Sequence, residues 1–178
     1  LLTDSPPLAA SVAFCKAIID AVADVAPAVK PNIAFFEAFG ALGVVAYADL
    51  CAYARARDLL VIGDVKRGDI GSTAAAYAGG LLGIPEGGDS LAHHDAITVN
   101  PYLGSDGVKP FIERAAPCGQ GLFLLVKTSN PSSSELQDRE LAEGGTVAEH
   151  LARLVGAWGA DCRGESGYSA AGAVVGAT

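Results

Sequence analysis

Two carboxylates and an ammonium follow a short apolar run in Leu60-Val61-Ile62-Gly63-Asp64-Val65-Lys66-Arg67-Gly68-Asp69-Ile70. In an extended strand, residues i and i+2 share a face. Asp64 and Lys66 are therefore predicted to project side by side from the C-terminal end of a buried strand. In parallel βα proteins, active sites sit at that end. Charges there are costly to bury unless they pair or do chemistry. Two readings of the spacing stand open. One is an ion pair on the strand rim. The other is a lysine acid that flanking carboxylates keep cationic and in place.

A second cation, Lys30, lies in Val29-Lys30-Pro31-Asn32-Ile33-Ala34-Phe35-Phe36-Glu37. Pro31 restricts Lys30 to an extended conformation. Taken alone, Lys30 reads as a surface residue; its place in an apolar strand before the Asp64 strand makes it a candidate for the same site. Arg67 alternates to the other face and is given no catalytic role. His93 and His94 precede a strand with no carboxylate or cysteine at ligand-like spacing, so they are not read as metal ligands. Asn100 ends its strand and is a candidate for the mouth of the site, and Trp158 reads as a core residue of its helix.

These residues need elements to hold them. Helical periodicity runs over 8–25, with Leu8, Val12, Cys15, Ile18, Ile19 and Val22 on one side. A strand is predicted over 28–36, a helix over 37–57 and a strand over 59–66. A helix follows over 72–82, with Ser72 as its N-cap, and then a Gly/Pro loop over 83–90. The pattern repeats as strand 96–100, helix 105–116 and strand 121–127. A long polar loop over 130–145, a helix over 146–160, a polar loop over 161–169 and a strand over 171–175 complete it. Near-continuous apolar strands separated by amphipathic helices imply a parallel sheet covered by helices. A doubly wound sheet and a (β/α) barrel both fit.

The composition bounds the function. The 178 residues are 51% hydrophobic and 18% charged, a globular balance with room for a sizeable core. A formal net charge of -8 disfavours nucleic acid as a partner, because neutralising phosphates needs clustered cations. It leaves a small anionic ligand open, since local cations act within a screening length of ~10 Å. Cys15, Cys51, Cys118 and Cys162 form no CxxC pair. They read as buried reduced thiols, Cys15 and Cys51 in apolar helical patterns, and this favours a reducing compartment. The absence of an apolar run of ~18 residues and of a signal-like start leads to a cytoplasmic reading with no membrane partner.

The run DVKRGDIGSTAAAYA resembles the Asp-x-Lys-x-x-Asp-Ile motif of orotidine 5′-monophosphate decarboxylases. VKPNIAFFE, TVNPYLG and KTSNP resemble the subgroup of that family common in mycobacteria and related bacteria, and the similarity extends over essentially the whole chain. The resemblance implies an α/β fold, the (β/α)8 TIM barrel. It also implies a homodimer with shared active sites that uses no metal and no organic cofactor. The implied reaction takes orotidine 5′-monophosphate to uridine 5′-monophosphate and carbon dioxide, the last step of de novo UMP synthesis. On matching positions, Lys30, Asp64, Lys66 and Asp69 form an alternating charged array. Lys30 also contacts the substrate ribose, and Asp69, Ile70 and Thr73 reach the neighbouring subunit's site. Ser129 matches the serine that contacts the pyrimidine. Without the resemblance, Thr73 would read as an ordinary first-turn helix residue.

Five of the eight βα units of such a barrel are expected over residues 1–178, with the first strand and the last two strands lying outside them. A strand-bearing aspartate upstream and a phosphate loop with an arginine downstream are expected beyond the ends. The segment alone is expected to be inactive and unstable, with open strand edges and bare apolar faces. Two competing readings are a magnesium-dependent phosphate-sugar lyase of the same superfamily, for which Glu37 is the nearby acidic candidate, and a non-catalytic module derived from the barrel.

Overall fold

A computed structural model of the chain describes residues 6–82 and 91–177. The predicted Gly/Pro loop over 83–90 lies outside the described residues. Helices and strands alternate: α1 (Pro6–Val22), β1 (Ala28–Val29), α2 (Ala34–Glu37), α3 (Gly40–Arg55), β2 (Leu60–Arg67), α4 (Gly71–Leu82), β3 (Ala96–Val99), α5 (Ser105–Ala115), β4 (Gly121–Lys127), α6 (Val147–Trp158) and β5 (Ala171–Val175). The strand order is β1-β2-β3-β4-β5, the sequential order of an α/β fold. β1 pairs parallel with β2, Ala28 opposite Leu60, and β4 pairs parallel with β5, Leu122 opposite Ala171.

Two compact units divide the chain. The first is Leu1–Val65 with Gly79–Ile97, and the second is Lys66–Ala78 with Thr98–Thr178. In the first, Ile33, Tyr47, Leu50, Val61 and Ile97 are buried. Helices α1 and α3 are tied at their surface by Asp20, whose carboxylate accepts from Tyr53 Oη at 2.9 Å and from the Arg57 guanidinium. In the second unit, Val99, Val108, Phe111, Leu122 and Leu124 form the core. Alternate residues Leu122, Leu124 and Val126 of β4 are buried, the period of two that a pleated strand imposes.

Several sequence expectations need correction. The strand predicted over 28–36 is too long. Pairing continues only as an isolated bridge from Asn32 to Asp64, and the chain turns into α2 at Ala34. The apolar run Ile33-Ala34-Phe35-Phe36 is ambiguous between strand and helix by periodicity alone. Ser72 does not cap α4. The helix begins at Gly71, whose φ of 54° turns the chain into it, and Ser72 falls inside the first turn. The loop over 130–145 has local structure: a 3-10 helix over Pro131–Glu135 and a bridge from Glu140 to Thr146. Thr146 precedes α6 rather than opening it. Its Oγ1 accepts from the Glu149 amide at 3.2 Å, and its own amide donates to Glu149 Oε2 at 2.8 Å, a capping box. Trp158 is only half-buried, and its Nε1–H donates to Ser105 Oγ at 3.1 Å. The strands over 121–127 and 171–175 stand as expected.

Candidate active site

The candidate residues fall in two groups, one in each unit. In the first unit, Asp64 is buried within β2 with 7% of its surface exposed. Its main chain is fixed by the preceding segment. Asp64 N–H donates to Pro31 O at 3.0 Å, and Ile33 N–H donates to Asp64 O at 3.3 Å. Its side chain accepts from Lys30 Nζ at 3.1 Å and from Asn32 Nδ2 at 3.2 Å, both on Oδ2. A buried carboxylate must be matched in this way, because stripping its water without partners costs several kcal/mol. Lys30 and Asn32 are two apart on the extended segment across from β2, which is why both reach the same oxygen. The fold thus brings Lys30, a surface residue when read alone, to the Asp64 carboxylate.

Asn32 was given no role by the sequence reading, yet its carboxamide works at both ends. Nδ2 donates to Asp64, and Oδ1 accepts from Ala34 N–H at 3.0 Å, at the start of α2. The i, i+2 spacing from Lys30 was the available signal.

Behind this carboxylate lies a buried polar node. His94 is fully buried. Its Nδ1 is 2.7 Å from Leu81 O, and its Nε2 is 2.8 Å from Tyr47 Oη. A carbonyl only accepts, so Nδ1 carries the hydrogen and Nε2 accepts the Tyr47 hydroxyl proton. A Cβ on Gly63 would lie 2.7 Å from the His94 ring, so glycine is what allows the imidazole to pack directly before Asp64. Burial lowers the His94 pKa from its ordinary value. Cys51 Sγ is 3.9 Å from the same ring, but burial pushes its thiol up to about 12. The pair is therefore a packed core contact rather than a thiolate–imidazole nucleophile. Cys15 is half-buried and Cys118 exposed, so only Cys51 is the enclosed thiol the sequence reading expected.

The second unit holds Lys66, Asp69, Ile70, Thr73 and Ser129. Lys66 has φ of +45°, in the left-handed region, and its side chain is exposed. The regular i, i+2 alternation assumed from the sequence therefore stops at this residue. Such a backbone costs a lysine on the order of 1 kcal/mol or more and persists only where neighbours impose it. Here they do: Lys66 N–H donates to Thr98 Oγ1 at 2.9 Å, and Asn100 N–H donates to Arg67 O at 2.8 Å. Thr98, on fully buried β3, is a second residue the sequence reading missed. Gly68 packs on Asn100, where a Cβ would come within 3.0 Å of its carbonyl oxygen.

Asp69 is half-buried, and its Oδ1 accepts from Ile70 N–H at 2.7 Å. Ile70 is 52% exposed, an unusual fraction for an isoleucine beside charged site residues, and Thr73 is exposed on the first turn of α4. The Arg67 guanidinium lies 5.8 Å from the Tyr77 ring centre, a cation–π contact that gives it a structural role. Ser129 follows β4 and is exposed, with Gly176 packed on its backbone. Asn100 lines a cavity of about 430 Å³ with Tyr102, Leu125, Thr128, Gln137 and Leu151. Glu37 is exposed at the end of α2. No helix among the described residues is long and apolar enough to cross a membrane.

Parallel strands alternating with helices, with charged residues along β2 and after it, define an α/β protein of the βα class. The chain belongs to the orotidine 5′-phosphate decarboxylase / HUMPS family, whose model matches residues 9–177. It is 46% identical over 170 residues to an orotidine 5′-phosphate decarboxylase of Rhodopirellula baltica, covering 96% of this chain and 56% of that protein. Its fold is similar to the crystal structure of a candidate orotidine 5′-phosphate decarboxylase from Streptomyces avermitilis, with TM-score 0.85 and 42% identity, over 96% of this chain and 57% of that one. The OMP decarboxylase of Leishmania donovani superposes with TM-score 0.78 and 38% identity, over 96% and 61%. The fold is thus that of the (β/α)8 barrel, of which the described residues carry five strands, and the chain spans little more than half the length of these relatives.

Proposed function

We propose that the full-length protein carrying this chain decarboxylates orotidine 5′-monophosphate to uridine 5′-monophosphate in UMP biosynthesis. The observation that carries this reading is the arrangement on β2. A buried carboxylate, Asp64, is held by Lys30 and Asn32, and the strand continues into Lys66 with its backbone locked by Thr98. The family and the named relatives support the same reaction.

In that reaction the bond from pyrimidine carbon 6 to the carboxylate breaks, and carbon dioxide leaves. The electron pair stays on carbon 6, in the ring plane and without easy delocalisation. The Lys66 ammonium stabilises the developing charge and then delivers its proton to carbon 6. Asp64 lies near the substrate carboxylate, and Lys30 and Asp69 hold the charged array and contact the ribose. Charges fixed before the reaction add no reorganisation cost at the transition state. Ser129 contacts the pyrimidine. Asp69, Ile70 and Thr73 serve the site of a second copy in a homodimer, and the half-exposed Ile70 supports that role. No metal ion or organic cofactor takes part. We place the enzyme in the cytoplasm, with no nucleic acid or membrane partner.

The test is turnover of the full-length protein in deuterated water with a strong chelator present. The expected result is carbon dioxide release and UMP carrying deuterium at carbon 6, because the Lys66 ammonium exchanges with solvent. Loss of turnover on chelation would move the assignment to the magnesium-dependent lyases of the superfamily, with Glu37 as the added ligand. A protein that binds UMP but never turns over would support the non-catalytic alternative.

A further inference from the structure

The turn that presents Ser129 is held by a side-chain clamp that the reaction as derived does not use. Thr128 N–H donates to Gln137 Oε1 at 2.8 Å, and Gln137 Nε2 donates to Thr128 Oγ1 at 2.7 Å. The Thr128 hydroxyl spends its only hydrogen on Asn130 Oδ1 at 2.6 Å, so towards Gln137 it can only accept. Position 137 must therefore supply an acceptor and a donor at once, to a backbone amide and to a hydroxyl. Among side chains, a carboxamide places both on one carbon.

Gln137 is itself anchored. Its main-chain carbonyl accepts from Ala148 N–H at 2.9 Å, in the first turn of α6, and its main-chain N–H donates to Ser133 O at 2.8 Å. On the other side, Gly176 closes on the next residue: a Cβ there would lie 3.1 Å from Ser129 N. Ser129 is exposed, yet the peptide that carries it is fixed from the Thr128 side and from the Gly176 side.

We infer that Gln137 is a positioning residue: its carboxamide holds the Thr128–Ser129 peptide so that Ser129 meets the pyrimidine in one orientation. The inference rests on the reading of Ser129 as the pyrimidine contact. A contact to the pyrimidine that is made both before and during bond cleavage, when loosened, weakens ground state and transition state alike. Such a change raises KM and leaves kcat in place.

The experiment is a double-mutant cycle in the full-length protein. It compares wild type, Gln137→Ala, Ser129→Ala and the double variant, with UMP affinity, KM and kcat measured for each. Gln137→Ala is expected to weaken UMP binding and raise KM roughly 3- to 10-fold, with kcat within about twofold. The double variant is expected to bind no more weakly than Ser129→Ala alone, because Gln137 acts only through that contact. Gln137→Glu keeps the acceptor for Thr128 N–H and loses the donor, so it should fall between wild type and Gln137→Ala and carries the same cycle if Gln137→Ala does not fold. Hydrogen exchange at the Thr128 amide should quicken in Gln137→Ala and stay slow in Gln137→Glu. Losses that multiply in the double variant, or a fall in kcat with UMP affinity unchanged, would overturn the positioning role. A wild-type protein that neither binds UMP nor turns over would instead overturn the decarboxylase reading.

Discussion

Asp64 is where local chemistry constrains the site most tightly, because a buried carboxylate cannot be left unmatched. Asn32 donates one of its hydrogen bonds at 3.2 Å and is itself fixed by Ala34 N–H. Asn32→Ala should lower stability by roughly 1–3 kcal/mol, the usual cost of removing a partner from a buried charged acceptor. Urea denaturation of the full-length protein measures this, and an unchanged midpoint would show that Asn32 does not support the carboxylate. His94 makes a second residue-level prediction. Burial lowers its pKa, so the folded chain resists the proton that the unfolded chain accepts below pH ~6.5. This stability is complete above that pH and drains away as pH falls towards the lower folded value. The melting temperature should therefore fall less steeply between pH ~7 and ~5 in His94→Gln than in wild type. Matching slopes would mean that the imidazole is not the group that titrates. At this scale the candidates legible in the sequence were those whose charge stood out beside an apolar run, Asp64, Lys66 and Asp69, while the left-handed backbone that ends the alternation at Lys66 was not. It was silent on Asn32, Thr98 and Gln137, because a neutral amide or hydroxyl shows its importance only through the partner that folding brings to it.

Among the elements, β4 and β5, short apolar runs bounded by turn residues, were readable to the residue. The failures lie where two tendencies compete. Residues 28–32 run extended and pair with β2, but Asn32 offers its Oδ1 to Ala34 N–H, and the apolar residues that follow wind into α2 instead of prolonging β1. At α4, Gly71 with positive φ makes the entry that Ser72 was expected to cap. At α6 the Thr-x-x-Glu signal was present and went unread; the helix starts with both capping-box bonds formed. Thr146→Ala should cost about 1 kcal/mol, the worth of such a cap. Thermal melts of the full-length protein test it. A loss near zero would mean that the packing of α6, and not its cap, sets where the helix begins.

For the whole molecule, the described residues carry five strands of a barrel family, and the chain spans little more than half the length of its relatives. The choice between a doubly wound sheet and a barrel was not legible in periodicity, since both alternate strands with helices. The motif runs and the solved relatives decide it. If Asp69 serves the partner's site in a homodimer, two dead variants should rescue each other. Mixing Lys66→Ala and Asp69→Ala chains under exchange puts both lesions in one site of each mixed dimer and leaves the other intact. About a quarter of wild-type activity should return, since half the dimers are mixed and each has one good site. No recovery on mixing would place Asp69 in its own subunit's site. The most direct test of the account is Lys66→Ala in the full-length protein, read as single-turnover decarboxylation alongside UMP affinity. Carbon dioxide release should collapse by several orders of magnitude while UMP still binds within about tenfold of wild type. Near-normal turnover in that variant would contradict the claim that the Lys66 ammonium stabilises and protonates carbon 6.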